Sequence, residues 1–109
     1  MSKYRNKRLH TSDGIFDSVK EYRRWQELKL LEKAGEIGNL HRQIPFWLIP
    51  PQRVNGKLVE RGVKYIADFT YFKKDGTFVV EDAKGVRTNV YRIKRKLMLQ
   101  VHGIQIREV

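Results

Sequence analysis

Two acids and a lysine combine chemistry with suggestive spacing: Asp68 in one apolar run, and Asp82 and Lys84 at the end of the next. The runs, Tyr65-Ile66-Ala67-Asp68-Phe69-Thr70-Tyr71-Phe72 and Phe78-Val79-Val80-Glu81-Asp82-Ala83, are rich in β-branched and aromatic residues and read as strands. Lys73-Lys74-Asp75-Gly76 between them suits a type I turn closed by a glycine bulge, which pairs Lys73 with Thr77. Counting back from that turn sets Phe72 opposite Phe78, Thr70 opposite Val80 and Asp68 opposite Asp82; a two-residue loop would shift the register by one. Strict alternation then puts Asp68, Asp82 and Lys84 on one face and Glu81 on the other. Opposed carboxylates repel. A divalent cation, a hard ion held by carboxylate oxygens, would turn that cost into attraction. The other reading is a pair of ordinary charges on a solvated sheet face. The apolar flanks argue for central strands covered by helices, where ionised groups need partners.

The remaining segments must position these residues. Ser18-Val19-Lys20-Glu21 opens a helix running to about Ala34, with Gly35 as its stop. Glu21, Trp25 and Leu28 fall on one face, so Glu21 points to the covered side; at capping-box spacing from Ser18 it equally serves to close the helix end. Leu40 to Ile49 alternates as a strand, with Pro45 favouring an edge or a bulge and Gln43 reading as a surface glutamine. Val54-Asn55-Gly56-Lys57 is a two-residue hairpin turn, and Leu58 to Val63 lead back to the central strand. Its charges, Arg53, Lys57, Arg61 and Lys64, fit a hairpin reaching over a nucleic-acid groove and fit a solvated ribbon equally. A second helix spans about Asn89 to His102, capped by Thr88 and stopped by Gly103, with Val90, Ile93, Leu97 and Val101 as its core stripe. That stripe leaves Tyr91, Arg92, Lys94 and Arg95 on a basic face suited to phosphate. Ile104 to Val109 form a last strand, and a helix between it and the Asp82 strand implies a right-handed parallel crossover. The elements describe an α/β fold, order α-β-β-β-α-β: a mixed central sheet with a helix on each face.

The composition sets bounds. At 109 residues the chain is one small domain, 13–109, preceded by a basic arm, 1–12, that carries Lys3, Arg5, Lys7 and Arg8. A net charge of +11, from 23 basic and 12 acidic residues, points to a polyanionic partner, nucleic acid above all. No cysteine is present, so disulfides and thiolate metal sites are excluded, and His10, His41 and His102 lack zinc-ligand spacing. No apolar run approaches a membrane span, and a cytoplasmic protein is expected.

Asp68 followed by Asp82-Ala83-Lys84 resembles the signature of the PD-(D/E)xK nucleases, with Ala67 standing where that superfamily has proline. The set Asp13-Gly14-Ile15-Phe16-Asp17-Ser18, Glu21, Gln43, Ile66-Ala67-Asp68-Phe69 and Val80-Glu81-Asp82-Ala83-Lys84-Gly85 resembles, over nearly the whole chain, small phage and prophage proteins of that superfamily, usually catalogued as a domain of unknown function. The resemblance implies a restriction-endonuclease-like core and an endonuclease dependent on Mg²⁺ or Mn²⁺ that hydrolyses DNA in phage recombination, replication or processing. It implies Asp68 as the shared metal ligand, Asp82 and the Ala83 carbonyl completing it, and Lys84 orienting the water. Glu21 would hold a second ion or act through water, Gln43 would be accessory, and Glu81 paired or structural. DNA is the implied partner, along Lys3, Arg5, Lys7, Arg8, Arg87, Tyr91, Lys94 and Arg95. A symmetric homodimer is the assembly that cutting both strands would use. The alternatives are a non-catalytic nucleic-acid-binding protein that keeps the fold, which would have no use for opposed aspartates, and an adaptor protein of a phage particle.

Overall fold

The computed structural model describes residues 8–83 and 86–109. In chain order the elements are β1 (Leu9–Thr11), β2 (Gly14–Phe16), α1 (Val19–Lys33), β3 (Ile37–Ile49), β4 (Gln52–Val54), β5 (Lys57–Glu60), β6 (Val63–Lys73), β7 (Phe78–Asp82), α2 (Asn89–His102) and β8 (Arg107–Glu108). The central sheet runs β3-β6-β7-β8. Its first three strands are antiparallel neighbours, and α2 carries the chain over to β8, which lies parallel to β7 with Glu81 beside Arg107 and Asp82 beside Glu108. Pro45 sits in β3, an edge strand, where its missing donor costs no ladder bond.

The local chemistry explains these boundaries. The Lys73 N–H donates to the Thr77 carbonyl at 2.9 Å, and Gly76, at φ 87°, takes the left-handed place that closes the loop. The ladder it starts pairs Phe72 with Phe78, Thr70 with Val80 and Phe69 with Glu81. Ser18 and Thr88 cap the two helices, each side-chain oxygen accepting an N–H three residues on, from Glu21 and from Tyr91.

Each helix covers its own core. Leu28 and Trp25 of α1 pack with Ile37, Leu40, Phe69, Tyr71, Val79 and Ala83. Tyr91 and Met98 of α2 pack with Leu48, Tyr65, Ala67, Val80 and Ile106. Val79 and Val80 are consecutive strand residues and fall in different cores, so the helices lie on opposite faces of the sheet. One regularity breaks. Alternation would keep Tyr65, Ala67, Phe69 and Tyr71 on one side, yet the first two face α2 and the last two face α1. In β3, Leu40 joins the α1 side while Phe46 and Leu48 join the α2 side. Both strands change sides at the same step, where Gln43 lies between the pairs Arg42↔Phe69 and Ile44↔Ala67 and holds φ at 57°.

Two expectations need correcting. The buried face of α2 is Tyr91 and Met98; of the expected stripe Leu97 packs against the core, while Val90, Ile93 and Val101 stay exposed. The strand β6 presents Tyr65 and Ala67 to the helix and rotates it by one residue from the most apolar stripe. Residues 9–11, read with the basic arm, form β1 and pair with β2 from Leu9↔Phe16 to Thr11↔Gly14.

Candidate functional site

Glu81 and Asp82 are neighbours in β7, both fully shielded from solvent, and their surroundings differ sharply. Glu81 faces α1. Arg24 clasps it with two hydrogen bonds, Nε to Oε1 at 2.8 Å and Nη2 to Oε2 at 2.7 Å, and the Tyr71 hydroxyl donates to Oε2. That geometry is a satisfied bidentate ion pair, and the hydrogen bond to Glu81 holds Arg24 protonated well above its ordinary range. Asp82, on the α2 side, receives the Tyr65 hydroxyl on Oδ2 at 2.7 Å, while its Oδ1 is buried with no hydrogen-bond partner among the described residues. Buried carboxylate oxygens are rarely left so, because each forgoes its hydration without replacement.

Asp68 lies one residue beyond the last ladder pair, Phe69↔Glu81, and is 3 % exposed. Its Oδ2 accepts the Ala83 N–H at 2.7 Å, which ties the ends of the two strands together where backbone pairing stops. The two aspartates therefore sit at the parting of β6 and β7, and both are buried. Lys84 lies outside the described residues. Glu21 is 3 % exposed in the first turn of α1, where its N–H bonds Ser18 and its carboxylate reaches β3: Gln43 Nε2 is 3.4 Å and Arg42 Nη2 3.6 Å from Oε1. Both sequence readings of Glu21 thus describe part of it, the backbone in the cap and the side chain on the covered side. Among the described residues no three His, Asp or Glu side chains are gathered closely enough to hold a metal ion by themselves.

Three features of this region escape a sequence reading. Tyr65 holds Asp82, but strict alternation puts them on opposite faces; only the change of sides at Asp68 brings them together. Arg42 packs its guanidinium 3.7 Å from the Phe16 ring centre and donates to the Ile15 carbonyl at 2.7 Å, joining β2 to the Glu21 carboxylate. Gln43 carries backbone strain of about 1–2 kcal/mol in its left-handed conformation. A testable inversion follows from that strain. Gln43→Gly should leave the thermal midpoint unchanged or slightly higher. Gln43→Val, the better strand former by propensity, should lower stability by about 1–2 kcal/mol. Equal melts for the two would mean that the strand is regular there.

The basic face expected on α2 is rearranged. Tyr91 is buried and donates to Glu108 Oε2 at 2.7 Å; the Arg95 and Arg87 guanidiniums each lie 3.0 Å from the same oxygen. These residues form a structural clasp between α2 and β8, because the parallel strand sets Glu108 beside Asp82 and under the helix. The Tyr91 hydrogen bond, followed by Arg95 and Arg87, holds the Glu108 carboxyl below its usual range against the opposing effect of its partial burial. Lys94, half-buried, lines a hollow with Lys64, Ile66 and Val90. Arg8 lies 3.8 Å from Asp17, and Lys3, Arg5 and Lys7 fall outside the described residues.

Tyr65, Tyr71 and Tyr91 are thus three hydroxyls on three carboxylates. Burial first, then the neighbouring acid, raises all three above the ordinary tyrosine value, Tyr71 to about 12. A folded pKa above the unfolded one contributes stability that is complete below the unfolded value, about 10, and is lost as pH rises through the folded one. We expect stability to fall between about pH 10 and 12, with these tyrosines ionising as the fold opens. Absorbance at alkaline pH, read beside circular dichroism, checks this; ionisation of all tyrosines with the fold intact would contradict it.

The fold and site define an α/β domain with a mixed sheet, a helix on each face, and two buried aspartates where its central strands part. The chain belongs to a family described as proteins of unknown function, DUF1064, whose profile matches residues 1–108. No curated protein matches it. No helix among the described residues is long and apolar enough to cross a membrane.

Proposed function

We propose that this protein is a metal-dependent endonuclease that hydrolyses phosphodiester bonds in DNA. The observation that carries the reading is the contrast within β7: Glu81 has every carboxylate need met, and Asp82 keeps a buried oxygen with no partner among the described residues. A hard divalent cation fits such a donor set: Asp82 Oδ1 and Asp68 would be its carboxylate ligands, and the Ala83 carbonyl and Glu21 would complete it. When bound, Mg²⁺ or Mn²⁺ supplies a nucleophilic water and offsets charge on the phosphate and the leaving oxygen.

The chain's own residues prepare for this. Tyr65 fixes the orientation of Asp82, and the Ala83 N–H does the same for Asp68. Lys84 would place its cation beside the reacting phosphate and orient the water. Glu21, held by Gln43 and Arg42, would reach the site from α1. The net charge of +11 draws the polyanion in. The test is incubation of purified protein with plain, nicked and branched DNAs, with and without Mg²⁺ or Mn²⁺. Metal-dependent cleavage of any of them supports the reading. Salt-sensitive binding with no cleavage under either metal would instead favour a binding protein that keeps the fold.

A further inference from the structure

The β4–β5 hairpin stands apart from both cores. Every residue of its two strands is exposed, including Val54 at 58 %, Leu58 at 50 % and Val59 at 53 %. A two-stranded hairpin alone in water is marginally stable, and this one leaves half or more of each apolar side chain in solvent. Its shape is nonetheless well specified at both ends. Asn55 and Gly56 have φ of 50° and 80°, the pair of left-handed residues that a tight two-residue turn needs, and Arg53 donates to the Gly56 carbonyl at 3.3 Å. At the base, a Cβ on Gly62 would stand 2.3 Å from the Trp47 ring, 2.9 Å from the Ile49 carbonyl and 3.0 Å from Pro51. Lys64 lies over the Trp47 ring at 4.6 Å, and His102 Nε2 lies 2.7 Å from the Trp47 carbonyl, tying the base to α2. The result is a ribbon clamped at its root and bare along its length. The radius of gyration, 16.2 Å, exceeds the about 13 Å of a compact chain this long.

The charge on the ribbon says what covers it. From Gln52 to Lys64, the hairpin and the root by which it enters β6, there are four basic residues, Arg53 and Lys57 on the hairpin and Arg61 and Lys64 at the root, and one acid, Glu60. We infer that the β4–β5 hairpin is an arm that enters the major groove of duplex DNA. Its basic residues would meet phosphates, and Leu58, on the face it shares with its cross-strand partner Arg53, the apolar edges of bases. The major groove, about 12 Å wide, admits a two-stranded ribbon, and thymine methyl groups there suit apolar side chains. The major groove of duplex RNA is too narrow and deep for it. This inference rests on the proposed action on DNA and names its duplex form and the element that grips it.

The experiment is fluorescence anisotropy with a short labelled DNA duplex, without metal, across about 50 to 200 mM salt. Wild type is compared with a variant carrying Lys57→Ala, Arg61→Ala and Lys64→Ala, and with Leu58→Ser. Each lost phosphate contact removes roughly 0.9 from the slope of log affinity against log salt, so the triple variant should lose about 2 to 3. Leu58→Ser should weaken binding with the slope kept. Leu58→Ser should melt like wild type, since the arm touches neither core; Lys64 belongs to β6 and lies over Trp47, so a Lys57→Ala, Arg61→Ala double variant, with a slope loss of about 2, repeats the test with the root intact. An unchanged slope in the triple variant, equal affinity for duplex RNA, or no duplex binding by wild type would overturn the inference. So would a wild-type dimer that the hairpin changes convert to monomer, which would give the arm to a second copy. A cleavage assay on the same samples separates the two claims, because duplex binding through the hairpin without cleavage leaves this inference standing and removes the nuclease reading.

Discussion

Asp82→Asn should lower metal-dependent DNA cleavage by roughly two or more powers of ten, the scale at which loss of one charge-stabilising group is felt. Its thermal midpoint should hold or rise. The amide oxygen can still accept the Tyr65 hydroxyl that Asp82 accepts at 2.7 Å. The amide nitrogen then replaces an anionic oxygen that has no partner among the described residues, and a neutral group costs less to bury than a charged one. Asp68→Asn should lose cleavage likewise, and Lys84→Ala should keep metal binding while losing cleavage. DNA binding without metal should be retained or improved in both aspartate variants, because negative charge near the phosphates has gone. Loss of fold in Asp82→Asn would show that the carboxylate is structural.

Arg24→Ala should do the opposite. It leaves Glu81, which is 0 % exposed, with the Tyr71 hydroxyl in place of a two-pronged guanidinium. Removing one partner of a buried pair costs about 3–5 kcal/mol, because the other charge remains buried and uncompensated. For a domain of this size that is a fall of more than about 10 °C in melting temperature. Replacing the pair together, Arg24→Met with Glu81→Leu, should recover much of the loss, since a well-packed apolar pair is often as stable. Chemical denaturation of the three proteins reads this; an Arg24→Ala variant within about 1 kcal/mol of wild type would mean that the pair is solvated. Set beside Asp82→Asn, it separates two adjacent buried acids by function: one whose loss removes chemistry and one whose partner's loss removes stability.

The sequence was most legible where local chemistry dominates. Asp75-Gly76 and Asn55-Gly56 demand particular backbone conformations whatever surrounds them, and Ser18, Thr88, Gly35 and Gly103 mark helix ends by the needs of unpaired backbone groups. The hairpin register from Phe72↔Phe78 to Thr70↔Val80 follows from the first of these turns. Legibility failed where the pattern depends on another element. Period-two counting cannot show that β3 and β6 change sides at Gln43 and Asp68, so it assigns Tyr65 to the face away from Asp82. The apolar stripe Val90, Ile93, Leu97 and Val101 is the natural core face of an isolated helix. The helix instead turns Tyr91 inward, because Glu108 arrives from a strand formed only by the crossover. Gln43 reads as a surface residue and is exposed, but nothing in its own type announces the left-handed backbone that carries it.

The central claim, that the buried aspartates at the parting of β6 and β7 hold a divalent cation, is tested most directly by calorimetric titration of Mn²⁺ or Mg²⁺ into metal-free protein. Wild type should bind with measurable heat, and Asp82→Asn, folded and equally stable, should bind at least tenfold more weakly. Wild-type protein that takes up neither ion, or an Asp82→Asn variant that binds as tightly as wild type, would contradict the account.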